Sequence, residues 1–308
     1  MTLTQYPFSG AADIPSMLAL AHAFPSEHLR VIDLPYRLSS WALDDPANAA
    51  LWRDSGDQLI AWAVLQTPFW TIDYVIHPVA EQALHRQVLD WAERRAEAIA
   101  GTPAGLPAWN VMAFADQAGR ILDLIAAGFA NQADAGEDSW SKVFLRRPAS
   151  RPLTTGNHPP GFSLRPLAGE SEVAAYVDLH RAVFQSKNMT AGWRGRTLHA
   201  PGYRPDLDMV AVTPDGHLAG FCIGWLGRRD GVVAGQIEPF GVGREHRSLG
   251  LAWALLAETV RCLYQSGAEY VYVETDNYRD AALGIYQAIG FEVVRDVLVF
   301  RKDFAGII

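Results

Sequence analysis

The sequence contains little cysteine and no excess of positive charge. Its two cysteines, Cys222 and Cys262, stand in a strand-like and a helix-like run. We expect buried thiols in a reducing compartment, because a disulfide or metal site needs more ligands at closer spacing. Asp and Glu total 34 against 26 Lys and Arg, a net charge of −8. Nucleic-acid and anionic-membrane binders need the opposite balance, so neither class of partner is expected.

Several other signals are missing as well. The N-terminus "MTLTQYPFSG" has no basic region followed by an apolar core, and no uncharged apolar run approaches membrane-spanning length. We therefore expect a cytoplasmic protein without a membrane partner. The nine histidines do not cluster at metal-ligand spacing, which predicts no bound metal. Neither GxGxxG nor Gly-Lys-Ser/Thr occurs, so no dinucleotide or nucleoside-triphosphate fingerprint is present.

What the 308 residues do contain is a pattern that occurs twice. A helix stopped by Gly-Phe and followed by a basic closing strand ends each half: "ILDLIAAGF" before "SKVFLRRP", and "LGIYQAIGF" before "VLVFRKDF". The Pro- and Gly-rich stretch "RRPASRPLTTGNHPPG" separates them. These features predict an internal duplication of about 150 residues. The predicted domains are 1–147 and 162–308, with a linker at 148–161.

The second half alternates strands and helices in the order β-α-β-β-β-α-β-α-β. The segment 185–208, rich in aromatics, Gly and Pro, stands between a helix and a strand; it either walls a substrate site or is a structural loop. The alternation predicts an α/β fold with a mixed sheet, parallel where a helix joins two strands.

One helix start within this half is unusual. The apolar strand-like run ending at Phe240-Gly241-Val242 is followed by a charged turn and then by "RSLGLA", 247–252, which opens an apolar helix. The first turn of a helix has unsatisfied N–H groups and attracts anions such as phosphates. Small residues at Gly250 and Ala252 would let a ligand approach the backbone.

This stretch resembles the (Gln/Arg)-x-x-Gly-x-(Gly/Ala) signature of the GNAT superfamily of acyl-CoA-dependent N-acyltransferases. The later "ETDNYRDAALGIYQAIGF" is similar to the GNAT pattern of Asn, Ala, Tyr and Gly-Phe. The resemblance implies two tandem GNAT folds and acetyl-CoA as co-substrate. It implies that the CoA diphosphate binds at Arg247, Ser248, Leu249, Gly250, Leu251 and Ala252, and the pantetheine arm along Phe240, Gly241 and Val242. At Ser248 and Leu249 the family more often has a basic residue and a further glycine.

Three more residues are candidates for the site. Glu238 lies on the strand before the turn, at even spacing from Gln236 and Phe240, which predicts one shared face; it would accept the amine proton, or else pair structurally with an arginine. Tyr286 matches the family's general acid toward the CoA sulfur; the alternative is a tyrosine of the core. Asn277 would bond the pantetheine arm or form a turn, and Arg247 could instead be a solvated surface charge.

The first half resembles the same fold without its chemistry. Its turn, "HPVAEQALHRQ", has no glycine, and Leu124 stands where the second half has Tyr286. The sequence thus predicts one catalytic and one degenerate copy. The predicted reaction is acetyl transfer from acetyl-CoA to a primary amine of a small molecule, by direct attack in a ternary complex. The alternative is a non-catalytic sensor that binds CoA or another ligand.

Overall fold

A computed structural model describes residues 3–153 and 159–304. Residues 154–158 of the predicted linker lie outside the described residues. The strands are β1 Leu3–Pro7, β2 Ala49–Asp54, β3 Leu59–Gln66, β4 Thr71–Ile76, β5 Ala108–Phe114, β6 Ala130–Asn131, β7 Ser141–Pro148, β8 Ser163–Pro166, β9 Asp208–Val212, β10 Leu218–Arg229, β11 Val232–Val242, β12 Tyr270–Asp276 and β13 Glu292–Asp303. The helices are α1 Ile14–Ala23, α2 Leu34–Leu38, α3 Glu81–Ile99, α4 Ala118–Ala126, α5 Val173–Phe184, α6 Ala191–Leu198, α7 Leu251–Gln265 and α8 Asp280–Ile289.

The chain divides into two compact units that are not continuous in sequence. Unit 1 comprises Met1–Val31, Ser40–Lys142 and Arg295–Ile308, and unit 2 comprises Ile32–Ser39 and Val143–Val294. The predicted domains differ from these units at three places: α2, most of β7, and the last strand.

The two units repeat one sheet plan. In unit 1, β1, β2, β3 and β4 pair antiparallel in sequence order, and β4 then pairs parallel with β5 across α3. In unit 2, β8, β9, β10 and β11 pair antiparallel in the same way, and β11 pairs parallel with β12 across α7. This repetition confirms the duplication and the mixed α/β sheet predicted from the sequence.

Each sheet is closed by a strand from the other half of the sequence. The Val297–Asp303 part of β13 pairs antiparallel with β5 in unit 1, where Phe300 is buried in the core. Strand β7 pairs with β12 in unit 2, where Leu145 is buried in the core. A sheet edge is completed by backbone hydrogen bonds, which either closing strand can supply because both have the same apolar pattern. Sequence patterning therefore could not assign these strands to a unit.

The helix stops that indicated the duplication share one backbone geometry. Gly128 and Gly290 have φ of 85° and 98°. The N–H of Phe129 donates to Leu124 O, and that of Phe291 to Tyr286 O, each at 3.0 Å. A left-handed glycine with this six-residue bond is a Schellman cap, which satisfies carbonyls at the helix end.

The segment 185–208 contains a helix that the sequence reading missed. Helix α6 begins after Thr190, whose hydroxyl accepts a hydrogen bond from the Trp193 N–H at 3.0 Å. Threonine at this position is a standard cap, and this was the available signal. Gly192 and Gly195 within so short a helix masked its periodicity.

Both cysteines are free thiols. Cys222 is buried, as expected, whereas Cys262 is only partly buried. Among the described residues, no helix has the length and hydropathy needed to cross a membrane.

Candidate active site

Strand β11, which leads to the turn before α7, contains a bulge at Glu238 and Pro239. The β10–β11 register passes from Gly224↔Ile237 to Cys222↔Phe240, so two residues of β11 oppose the single residue Ile223. A bulge is a natural place for proline in a sheet, because the extra residue leaves the hydrogen-bonded ladder. The Trp225 indole N–H donates to Glu238 O at 2.7 Å and supports the bulged backbone.

The bulge corrects the prediction that Gln236, Glu238 and Phe240 share one face. Before the bulge, Ile237 belongs to the core cluster packed around α7, so Gln236 points to the opposite face. After it the alternation is reversed: Phe240 packs against that same cluster, while a Cβ at Gly241 would meet Val183 of α5 at 2.5 Å. Phe240 therefore lies on the α7 side of the sheet, opposite to Gln236.

Strands β11 and β12 separate toward their carboxyl ends. Their Cα partners run only from Ala234↔Tyr270 to Gln236↔Tyr272, although both strands continue beyond these residues. On the other edge, Phe240, Gly241 and Val242 remain registered with β10. An extended polar ligand in the resulting opening could bond the backbone of β11 as an added strand does.

The turn after β11 is shaped by two left-handed residues. Ser248 has φ of 62° and Gly250 has φ of 81°, and Gly250 is the N-cap of α7. Among the described residues no side chain caps this helix, and the first turn of α7 carries no acidic residue. Leu251 is buried in the core and anchors the helix start, while Ala252 is partly buried. The backbone here is suited to an anion, because left-handed residues beside a helix N-terminus direct N–H groups toward one point.

The side chains of the turn point mainly to solvent. Arg247 is exposed, and its Nε contacts Val242 O at 3.4 Å. Ser248 is also exposed, and Leu249 is 48% exposed. The Arg247 side chain is therefore not part of the core. It lies beside the start of α7, where its guanidinium could bind an anionic group.

Tyr286 lies on α8 with its ring next to the strand that precedes the turn. It is 5% exposed, and its ring centroid lies 6.1 Å from that of Phe240 and 5.8 Å from that of Phe291. Burial raises the pKa of its hydroxyl, and the Cys222 thiol and the Glu238 carboxylate raise it further. The hydroxyl is thus protonated at neutral pH.

Glu238 influences three tyrosines. Its charge contributes to the raised pKa values of Tyr36, Tyr176 and Tyr286, in each of which burial is the largest cause. Its side chain is partly buried. A carboxylate within electrostatic reach of Tyr286 places a candidate base and a candidate acid in the same part of unit 2.

Asn277 is exposed in the turn that joins β12 to α8. The neighbouring Asp276 is buried and pairs with Arg279 Nε at 2.6 Å, which fixes the turn. Both predicted roles of Asn277, in the turn and toward the pantetheine arm, are compatible with this position.

Sequence reasoning missed the aromatic and polar groups that line the other face. Tyr176 and His180 stand one turn apart on α5, and the His180 ring stacks on Phe221 of β10 with centroids 5.4 Å apart. The Tyr36 hydroxyl lies 3.4 Å from His180 Nε2. The i, i+4 spacing was a signal for Tyr176 and His180. Tyr36 had none, because it comes from the first half of the sequence.

A buried ion pair holds this face together. Arg194 of α6 pairs with Asp208 at the start of β9, and neither side chain is exposed. The Tyr203 hydroxyl donates to Asp208 at 2.7 Å, and the Arg194 guanidinium lies 3.9 Å from the Tyr176 ring centroid. The segment 185–208 is therefore tied to the sheet beside Tyr176.

The corresponding turn of unit 1 is built differently. The first turn of α3 contains Glu81, which pairs with Arg120 Nε at 3.1 Å, and the His77 ring accepts a hydrogen bond from the Val79 N–H at 3.2 Å. Leu124, the counterpart of Tyr286, is fully buried. An acidic first turn repels phosphate.

The space beside that helix is filled by side chains of unit 1 itself. The Tyr74 hydroxyl lies 2.7 Å from His85 Nε2, and His85 Nδ1 lies 2.9 Å from Asp123 Oδ2. This unit therefore satisfies its own polar groups where unit 2 presents open backbone. Among the described residues, no group of three or more His, Cys, Asp or Glu could hold a metal ion.

Comparison with known proteins supports the architecture seen here. Residues 173–291 match the model of the acetyltransferase (GNAT) family. The matched residues all lie within unit 2. Nearly the whole chain is similar to solved structures. One is a GCN5-related N-acetyltransferase from Sphaerobacter thermophilus, with 19% identity and a TM-score of 0.64, covering 99% of this chain and 97% of that one. Another is a tandem GNAT protein from the clavulanic acid biosynthesis pathway, with 15% identity and a TM-score of 0.65, covering 98% of each chain. The chain thus has the tandem GNAT fold.

A curated relative matches over a shorter stretch. The mycothiol acetyltransferase of Paenarthrobacter aurescens is 29% identical over 141 residues, which are 43% of this chain and 43% of that protein. The match spans less than half of the relative's length.

Proposed function

We propose that unit 2 transfers an acetyl group from acetyl-CoA to a primary amine of a small molecule. The observation that carries this proposal is the combination of three features in one unit: the opening between β11 and β12, the uncapped Gly250 helix start, and Tyr286 within reach of the Glu238 charge. A binding protein needs the first two features but has no use for an acid–base pair beside them.

The described residues fit acetyl-CoA. The left-handed residues Ser248 and Gly250 and the start of α7 would hold the diphosphate, with Arg247 as a charge partner. The edge of β11 at Phe240–Val242, beyond the residues registered with β12, would bond the pantetheine arm. Acetyl-CoA supplies an activated thioester carbonyl, which an amine can attack.

The side chains supply the proton transfers. Glu238 accepts a proton from the acceptor ammonium group, directly or through a water, and so generates the nucleophilic amine. Backbone N–H groups of the Phe240–Val242 strand polarise the carbonyl. As the C–N bond forms and the C–S bond breaks, Tyr286 donates its proton to the departing thiolate. The nitrogen loses its second proton in this step, and that proton restores the Tyr286 hydroxyl through solvent, while Glu238 releases the first proton to solvent.

The test is to incubate the purified chain with acetyl-CoA and a panel of small primary amines while measuring free thiol and acetylated amine. Thiol release that depends on an amine and matches product in amount supports the proposal. Tight acetyl-CoA binding without release for any amine would instead favour a sensor.

A further inference from the structure

The amide of Gln236 is the most unusual polar group of unit 2. Its side chain is completely buried, yet neither Oε1 nor Nε2 has a hydrogen-bond partner within the described residues. Burying a primary amide with both its donor and its acceptor unsatisfied is costly, and folded proteins rarely tolerate it without a purpose. Gln236 stands two residues before Glu238 on β11 and precedes the bulge, on the face opposite to α7.

Two further atoms of neutral side chains on that face are in the same condition. The Tyr176 hydroxyl and His180 Nδ1 are buried and lack partners among the described residues. Tyr176 is within electrostatic reach of Glu238. Thus three side chains with unpartnered polar atoms lie on the face of the sheet opposite to α7, and one of them, Tyr176, is within electrostatic reach of the candidate base.

The chemistry of this set is neutral. An amide and a hydroxyl carry no charge, and His180 is uncharged at neutral pH because burial, with Arg194 and Arg181 nearby, lowers its pKa to about 3. Neutral donors and acceptors recognise hydroxyl and carboxamide groups, which donate and accept at once. An anionic substituent would need an uncompensated cation, whereas the charge of Arg194 is balanced by Asp208, even though Arg194 Nε and Nη1 lack hydrogen-bond partners among the described residues.

We propose that Gln236 determines acceptor specificity, and that the acceptor is an amine carrying a neutral hydroxyl or carboxamide group about 7 Å from its nitrogen. That distance is the spacing of residues i and i+2 on a strand, here Gln236 and Glu238. In the acceptor complex, Gln236 Oε1 accepts from the hydroxyl or amide and Nε2 donates to it, while Glu238 takes the ammonium proton. This inference rests on the proposed function.

The test compares two amines of equal length, 5-aminopentan-1-ol and hexylamine. We expect wild-type kcat/KM to be at least about 10-fold higher for the amino alcohol, because a site built for a hydroxyl rejects the analogue without it. In Gln236→Leu the kcat/KM of the amino alcohol should fall by about 10- to 100-fold, mainly through KM, with that of hexylamine unchanged or higher. The control Gln265→Leu, at an exposed glutamine of α7, should retain the wild-type preference.

Stability gives a second readout that a structural role would not produce. If the amide has no partner in the free protein, Gln236→Leu should unfold at the same temperature as wild type or higher. A lower unfolding temperature would show that the amide is satisfied within the protein and would overturn the inference. So would equal wild-type rates for the two amines, an outcome that leaves acetyl transfer itself standing. If wild type acetylates no amine at all, the proposed function fails, and this inference fails with it.

Discussion

The rings of Phe240 and Tyr286 lie 6.1 Å apart and connect the strand before the turn with helix α8. This contact places the Tyr286 ring beside the part of β11 that has separated from β12. The proximity of this tyrosine to an open backbone edge leads to the first prediction.

Tyr286→Phe should lower kcat by about 10²- to 10⁴-fold with little change in the affinity for acetyl-CoA, because only the proton donor is removed and the ring packing stays. Steady-state kinetics with binding calorimetry measures both quantities. Tyr264→Phe, at an exposed tyrosine of α7, is the matched control and should behave as wild type. Unaltered turnover in Tyr286→Phe would mean that this tyrosine is a core residue or that water protonates the thiolate.

Gly250→Glu should weaken acetyl-CoA binding, since it adds bulk and negative charge where the diphosphate is expected. Gly267→Glu, at the other end of α7, is a sharp control because both glycines have left-handed φ and both variants carry similar backbone strain, of about 1–2 kcal/mol. Calorimetry should show a loss of affinity for acetyl-CoA in Gly250→Glu but not in Gly267→Glu. Equal affinities in two folded variants would remove this turn from the site.

The sequence predicted those parts of the molecule that depend on local signals. The Gly-Phe helix stops, the strand–turn–helix at Gly250 and the repeated order of elements all rest on neighbouring residues. The prediction that Gln236 and Phe240 share one face was wrong. Pro239 inside the strand was a sign of the bulge that reverses the alternation.

Features that depend on distant segments were beyond a single sequence. The exchange of β7 and β13 between the units leaves no local trace, because the two strands have similar patterns. Nor could spacing bring Tyr36 to His180, since only tertiary packing determines that contact.

Arg194→Met should destabilise the protein by about 3–5 kcal/mol, because it leaves the Asp208 carboxylate buried without its partner. Urea unfolding followed by tryptophan fluorescence measures the change, and Trp193 stands next to the substituted residue. Arg204→Gln, which breaks the exposed pair with Asp206, should cost no more than about 1 kcal/mol. Similar losses in both variants would contradict the role assigned to the buried pair.

His180 should make the stability fall in acid. Its pKa is lowered to about 3 by burial, so the unfolded chain binds this proton near pH 6.5 while the folded chain does not. The contribution of His180 to the free energy of unfolding is therefore complete above about pH 6.5. It declines as the pH falls toward 3, and at pH 5 it has fallen by about 2 kcal/mol. Between pH 7.5 and pH 5, the free energy of unfolding of His180→Phe should fall by about 2 kcal/mol less than that of wild type.

The matched control for this pH dependence is His199→Gln, at an exposed histidine near Glu170. Its unfolding free energy should follow the wild-type pH profile. If His180→Phe also follows that profile, the imidazole is not held neutral by the fold.

Residues 162–308 expressed alone should be poorly soluble or weakly active. That fragment lacks β7, which completes the sheet next to β12, and lacks the segment Ile32–Ser39 that contributes Tyr36. The exposed edge and apolar surface favour association. Analytical ultracentrifugation of the fragment, with an activity assay, checks this; a monodisperse and fully active fragment would contradict the strand exchange.

A crystal structure of the chain with acetyl-CoA tests the account most directly. We predict one acetyl-CoA per chain, with its diphosphate against the backbone of residues 248–252, its pantetheine arm along Phe240–Val242 and its sulfur next to the Tyr286 hydroxyl. Acetyl-CoA bound to unit 1, or in unit 2 away from Gly250 and Tyr286, would contradict the assignment of the site.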